Sequence, residues 1–234
     1  MNIAIILAGG IGSRLGSVIP KQYIEINGKP VIGYCLDKFL ENSSVDTIHV
    51  VADTAWHDCL KKYIENSKFI AKWKGFSKPG PNRQYSILYA LEDILKYASS
   101  DDYVMVHDAV RPLINSRFIT SCFENVKGHD GLLPVLYMKD TVYYSEDGSR
   151  ISSLLKRESV VAGQAPEVFL LGKYYEANKV LLPDKIFSIN GSTEPAILAD
   201  MDIIMVEGDE ENFKITTKED LERFKQKINM QNGE

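Results

Sequence analysis

Six residues, Ile3-Ala4-Ile5-Ile6-Leu7-Ala8, run without a break into Gly9-Gly10-Ile11-Gly12. A short apolar, β-branched run of this kind reads as a buried strand. A strand that opens into glycines leaves its backbone N–H groups uncovered by any Cβ, so an anion can approach them. Arg14, Gly16 and Lys21 come next in the chain. Two cations beside one glycine loop point to an anion of several charges. A polyphosphate, and therefore a nucleotide, is the first expectation.

Familiar phosphate loops fit less well. The ATPase loop needs a Lys directly after its last glycine, and Gly16 is followed by Ser17. The dinucleotide fingerprint Gly-x-Gly-x-x-Gly is missed by one residue in Gly10-Ile11-Gly12-Ser13-Arg14-Leu15-Gly16. Its acidic ribose ligand is also out of place. Asp37 falls in a helical pattern and Asp53 comes too late after the second strand.

Downstream, strands and helices alternate. Strands are predicted over 47–52 and 103–107, with a weaker one over 69–72. Helices are predicted over 31–40, 56–64, 83–97 and 117–126. Such alternation argues for an α/β fold with a largely parallel sheet and helices on both faces. The pattern then changes to short strand candidates over 131–135, 141–144 and 151–155, with a hairpin-turn signal at Glu146-Asp147-Gly148-Ser149. We read a single domain over residues 1–234 carrying an inserted β-arm, 134–166, of the kind that pairs with a second subunit. A helix over 173–180, a strand over 203–206 and a closing helix over 218–227 complete the order. Thr217 and Asp220 have capping-box spacing at the start of that last helix.

Composition excludes other classes. The 234 residues carry a net charge of −5 and no basic run, so nucleic acid is not an expected partner. No apolar stretch is long enough to span a membrane, and the N-terminus carries no signal-peptide pattern, so a cytoplasmic protein is expected. Cys35, Cys59 and Cys122 match neither a disulfide framework nor a zinc pattern.

Ligands of open α/β sheets sit outside the carboxyl ends of the strands. His107-Asp108-Ala109-Val110-Arg111-Pro112 ends one strand there. Asp108 suits either Mg²⁺ against phosphates or the cap of a turn, and His107 reads as a hydrogen-bonded scaffold residue. Arg83 and Ser86 open a helix, where they fit either base and ribose contacts or ordinary capping. Taken alone, Arg157 reads as a solvated arm residue and Lys214 as a surface lysine.

In order along the chain stand Leu-Ala-Gly-Gly-x-Gly-Ser-Arg-Leu-Gly, Pro20-Lys21-Gln22-Tyr23, Arg83-Gln84-Tyr85-Ser86, His107 to Pro112, Lys139-Asp140-Thr141, Gln164-Ala165-Pro166 and Asn212-Phe213-Lys214-Ile215-Thr216. Together they resemble the cytidylyltransferases acting on 2-C-methyl-D-erythritol 4-phosphate, with their relatives acting on ribitol 5-phosphate. The resemblance covers residues 2 to 226. It implies a Rossmann-like mixed, mostly parallel sheet whose β-arm clasps a second subunit in a homodimer. It implies transfer of CMP from CTP to a polyol phosphate, with Mg²⁺ required and pyrophosphate released.

Carried over by position, Arg14, Lys21 and Lys214 would be catalytic. Ala8, Gly9, Gly10, Gly12, Arg83 and Ser86 would hold the nucleotide. Asp108, Ala109, Arg111, Thr141 and the partner subunit's Arg157 would bind the acceptor, and Asp108 would also hold the metal. Two segments depart from the family pattern, both on the acceptor side. Gln164-Ala165-Pro166-Glu167 stands where Thr-Pro-Gln is usual, and Ser192-Thr193-Glu194-Pro195-Ala196 replaces a Thr-Asp-Glu/Ala segment. Ala109 leans to the methylerythritol branch, since the ribitol branch tends to have Ser there. Methylerythritol 4-phosphate is thus the expected acceptor. Ribitol 5-phosphate or another polyol phosphate is the alternative, and a catalytically silent nucleotide-binding homologue the second.

Overall fold

Alternate residues of the first strand pack into different halves of the core, and this organises the whole domain. The computed structural model describes residues 1–10 and 19–231. In chain order the first half runs β1 (Asn2–Leu7), β2 (Glu25–Ile26), β3 (Lys29–Pro30), α1 (Val31–Glu41), β4 (Thr47–Val51), α2 (His57–Glu65), β5 (Trp73–Ser77), α3 (Arg83–Ile94), β6 (Tyr103–Asp108) and α4 (Ser116–Asn125). The second half runs β7 (Gly131–Tyr137), β8 (Tyr143–Tyr144), β9 (Ser153–Leu154), β10 (Val161–Gly163), β11 (Glu167–Leu170), α5 (Leu171–Lys179), α6 (Glu194–Leu198), β12 (Ile203–Glu207) and α7 (Lys218–Gln231).

Ala4 and Ile6 of β1 join Ile48, Val50 and Met105 in a cluster with α1, α2 and α4. Ile3 and Ile5 join Val104, Val106 and Phe169 in a second cluster with α3, α5 and α6. The period of two along each strand therefore places helices on both faces. Among the described residues the main sheet has eight strands in the order β10-β7-β11-β6-β1-β4-β5, with β12 added beside β7. Pairings β6-β1-β4-β5 and β7-β12 are parallel, whereas β11 runs antiparallel between β6 and β7. The sheet is thus mixed and mostly parallel.

The strand expected over 69–72 lies a few residues later, at Trp73–Ser77, and Ile70–Lys72 form a 3₁₀ turn. Its register against β4 shifts between Ile48 and His49, an irregularity that a simple alternation count does not anticipate. The strand β11 and the short helix α6 were not expected. Glu167 heads β11 as a buried charge, which breaks the apolar signature, and Pro195 opens α6. The closing helix is capped as its spacing predicts. Thr217 Oγ1 accepts from Asp220 N at 3.2 Å, and Asp220 Oδ2 accepts from Thr217 N at 2.9 Å.

The arm leaves the main sheet after β7 and returns at β10, and β8 and β9 form a separate antiparallel pair. Tyr143, Tyr144, Ile151 and Leu154 on it are exposed. Among the described residues no helix is long and apolar enough to cross a membrane.

Two buried histidines make folding sensitive to acid. His49 Nε2 lies 2.7 Å from Ser77 Oγ, and His107 Nε2 donates to Arg111 O at 3.1 Å, so His107 is a scaffold residue. Burial pushes each imidazole down to about 4. An unfolded histidine titrates at about 6.5, so on acidification the unfolded chain takes up these protons first. Stability is full above about pH 6.5 and falls progressively towards pH 4. The expected loss at pH 5 is about 2 kcal/mol per imidazole, read from denaturant midpoints at pH 7 and 5. The His49→Gln variant should show a shallower slope. An unchanged midpoint between those two pH values would contradict the assignment.

Candidate active site

The register of β1 against β6 pairs Leu7 with Asp108, so the glycine segment and the acidic strand end emerge side by side on one rim. That is the carboxyl edge of parallel strands, where α/β sheets place their ligands. A cavity of about 390 Å³ opens there, lined by Gly9, Gly10, Lys21, Arg83, Ser86, Asp108 and Lys214 among others.

The glycine segment is held in shape by the Lys21–Tyr23 turn, a buried 3₁₀ turn. Gln22 Nε2 donates to Ala8 O at 2.6 Å and Gly10 O at 2.7 Å, and Tyr23 Oη donates to Ala8 O at 3.0 Å. These bonds engage the negative carbonyl ends of the segment, which would otherwise oppose a bound anion. Ala8 N donates to Val51 O at 2.8 Å. Gly9 is required by close approach, since a Cβ there would stand 2.5 Å from Pro79 Cβ. Tyr23 is fixed in turn by stacking on Trp56.

Asp108 is the hub of the opposite wall. Its Oδ1 accepts from Arg83 Nη2 at 3.0 Å and Arg83 Nε at 3.2 Å. Its Oδ2 lies 2.9 Å from Lys214 Nζ and 3.6 Å from Arg111 Nε. Burial alone would raise this carboxyl's pKa, but Arg83, Lys214 and Arg111 outweigh it and hold the group well below the usual carboxylate range. A second carboxylate stands behind. Glu167 Oε2 lies 3.8 Å from Arg83 Nη2 and accepts from Ser192 Oγ at 2.7 Å, while Arg83 Nη1 donates to Ser192 Oγ. Burial pushes Glu167 upward, with Arg83 and Ser192 opposing it. Burial also works against the Arg83 charge, yet Asp108 and Glu167 prevail and raise its pKa. The result is a rigid cationic wall built on two buried carboxylates.

The sequence-derived candidates divide accordingly. Gly9, Gly10, Lys21, Arg83, Ser86, Asp108 and Lys214 meet in one cavity. Gly12 and Arg14 lie outside the described residues. Ala8 sits directly behind the cavity through its carbonyl. Ser86 is occupied locally, accepting from Gly80 N and donating to Asn82 O, both at 2.9 Å, so it shapes the loop before α3. Ala109's side chain is fully buried in the core cluster with Cys35 and Ile114, which leaves its backbone as the part that a ligand could meet. Arg111 stands beside Asp108 but sends Nη1 to Asn212 O at 2.8 Å. Thr141 and Arg157 lie on the arm, exposed, with Arg157 Nη1 donating to Lys139 O at 3.1 Å.

Asp108, assigned above to the metal as well, is engaged by the protein's own cations in this structure. Both of its oxygens already face cations, three side chains in all. Among the described residues no group of three or more His, Cys, Asp or Glu side chains is arranged to hold a metal. Residues missed from sequence are Gln22, Glu167 and Ser192. A carboxylate heading an otherwise apolar strand was the one available signal for Glu167.

The chain is similar to known proteins over nearly its whole length. The family model for 2-C-methyl-D-erythritol 4-phosphate cytidylyltransferase matches residues 2–229. A ribitol-5-phosphate cytidylyltransferase of Streptococcus agalactiae serotype V is 32% identical over 226 residues, covering 96% of this chain and 94% of that protein. A 2-C-methyl-D-erythritol 4-phosphate cytidylyltransferase of Clostridium beijerinckii is 34% identical over 221 residues, covering 94% and 95%. Among solved structures, the 2-C-methyl-D-erythritol 4-phosphate cytidylyltransferase of Francisella tularensis superposes with a TM-score of 0.78 at 28% identity, covering 95% of this chain and 97% of that one. A 4-diphosphocytidyl-2C-methyl-D-erythritol synthase from Anaerococcus prevotii shares the fold with a TM-score of 0.82 at 23% identity, covering 97% and 96%.

Proposed function

The chain belongs to the 2-C-methyl-D-erythritol 4-phosphate cytidylyltransferase family, and on that premise we propose that it transfers CMP from CTP to a small polyol phosphate in the cavity at the ends of β1 and β6. An acceptor phosphate oxygen attacks the α-phosphorus of CTP. A new phosphorus–oxygen bond forms, the bond to the β-phosphate oxygen breaks, and pyrophosphate leaves. The nucleophile is already an anion, so no general base is required. Catalysis is then a matter of alignment and of neutralising charge.

The observation that carries this reading is the convergence of Lys21, Arg83 and Lys214 on one cavity, with Arg83 and Lys214 set by Asp108. Lys21 and Lys214 neutralise charge on the phosphates, and Arg14 is assigned to the same task from its place in the sequence. Arg83 and the glycine segment hold the nucleotide. Asp108 acts by fixing Arg83 and Lys214. Mg²⁺, which the family resemblance implies, belongs in this reading to the nucleotide's phosphates rather than to a protein site. A silent homologue is disfavoured by the family match, whose named relatives are cytidylyltransferases.

We propose a homodimer in which the exposed apolar side chains of the arm are covered by a second subunit. Thr141 and Arg157, which do not line this cavity, then serve the acceptor in the other one. For the acceptor we keep 2-C-methyl-D-erythritol 4-phosphate, which the matching family supports. Ribitol 5-phosphate stands beside it, because relatives of nearly equal identity carry that name. Ala109 does not separate the two, since its side chain is in the core.

The test is pyrophosphate release from CTP and Mg²⁺ across a panel of polyol phosphates. Release with 2-C-methyl-D-erythritol 4-phosphate is expected. Release with ribitol 5-phosphate alone would reassign the acceptor, and CTP binding without release for any acceptor would favour the silent homologue.

A further inference from the structure

We propose that Gln164 and Asn212 are positioning residues for this reaction, clamping the segment that carries Lys214 to the root of the arm and so setting where its ammonium stands. Residues 208–217, between β12 and α7, form no regular helix or strand. Their backbone groups therefore need partners from elsewhere to hold one conformation.

The partners come from two buried amides. Gln164 follows β10 directly, at the point where the arm rejoins the sheet, and its own N donates to Pro134 O at 2.8 Å. Its Nε2 donates to Asp209 O and its Oε1 accepts from Asp209 N, both at 2.9 Å. One planar amide thus pairs both backbone groups of a single residue, as a neighbouring strand would. Asn212 is fully buried and donates from Nδ2 to Ala165 O at 2.8 Å. Its carbonyl takes Arg111 Nη1, and Ile215 N donates to Val110 O, both at 2.8 Å.

The chain is thereby fixed two residues before Lys214 and one residue after it. Gly208 permits the fit, because a Cβ there would stand 2.9 Å from Gln164 Oε1 and 3.1 Å from Val135 O. Neither Gln164 nor Asn212 lines the cavity, so each acts through Lys214. A group that must meet charge developing on a phosphate tolerates little displacement: about 1 Å can cost on the order of 10²-fold in rate. Resting on the cytidylyl-transfer reading above, the clamp also ties the arm, where a partner's acceptor contacts are proposed, to a catalytic cation of the same subunit.

Two readouts on the full-length enzyme test this. Hydrogen exchange needs no activity: Gln164→Ala should speed exchange over residues 208–215 by about tenfold or more while the main sheet stays protected. In steady-state kinetics with an acceptor the wild type uses, Gln164→Ala and Asn212→Ala should lower kcat by about 10- to 100-fold with KM for CTP within about threefold. Gln164→Glu preserves shape but sets a carboxylate oxygen against Asp209 O and, when ionised, adds a buried charge, so it should show the same split or a larger one. In a Lys214→Ala background, Gln164→Ala should add little further loss. Unchanged exchange, unchanged kcat, or the same factor lost in both backgrounds would overturn the proposal. A wild type that turns over no acceptor would instead sink the cytidylyl-transfer reading, leaving the exchange result to judge the clamp.

Discussion

Replacing Asp108 by alanine is expected to lower folding stability by about 3–5 kcal/mol and to abolish measurable turnover. The carboxylate faces Arg83, Arg111 and Lys214 at once and is almost fully buried. Removing it leaves three cations crowded together, with Glu167 as the nearby counter-charge among the described residues. Breaking a buried ion pair by deleting one partner leaves uncompensated charge, which is the costly way to break it. Asp108→Asn keeps the shape while losing the charge, so it should recover part of the packing but little of the stability or activity. The pH dependence has a definite sign. The folded-state pKa is depressed, so this carboxylate's contribution is present above the unfolded value and is lost only as pH falls through the lower folded value. Asp108 thus stays ionised while His49 and His107 account for acid sensitivity at milder pH. An Asp108→Asn variant of wild-type stability and activity would show that the hub has no such role.

Replacing Lys21 by alanine is expected to lower kcat by about 10²- to 10³-fold, with the fold retained. Lys21 lies on the buried turn whose neighbour Gln22 holds the carbonyls of Ala8 and Gly10. Its side chain lines the cavity from that buried turn, and preorganised cations act without reorganising when charge develops on the phosphates. Circular dichroism and the thermal midpoint should stay near wild type, because the Gln22 and Tyr23 bonds do not depend on the lysine side chain. Near-normal kcat in a folded Lys21→Ala variant would remove Lys21 from the catalytic set. Loss of fold would instead make it structural.

Much of the architecture was legible because it rests on local patterns. Ile3 to Ala8 announced a buried strand, and its alternate residues divide between the two halves of the core as period two requires. Thr217 and Asp220 announced a helix start by spacing alone. β11 was not legible, because it begins with a buried Glu whose partners, Arg83 and Ser192, lie far away in sequence.

The same distinction runs through the site. Lys21, Arg83 and Asp108 could be picked out because charged residues at strand and helix ends of an α/β fold face one rim, whereas Lys214, in a segment without helix or strand, was reached only through the family resemblance. Ser192 could not, since its bond to Arg83 spans 109 positions. Gln164 and Asn212 were visible as parts of motifs, but an amide's role depends on which backbone it meets. Ala109 shows the reverse case: beside the hub in sequence, it lies in the turn after β6 with its side chain in the core.

The most direct test of the central claim is phosphorus NMR of wild-type enzyme turning over CTP with the preferred polyol phosphate and Mg²⁺. Paired diphosphate resonances of a CDP-alcohol should appear in equal amount with pyrophosphate, and neither CMP nor orthophosphate should accumulate. Unconsumed CTP, or hydrolysis to CMP without a CDP-alcohol, would contradict it.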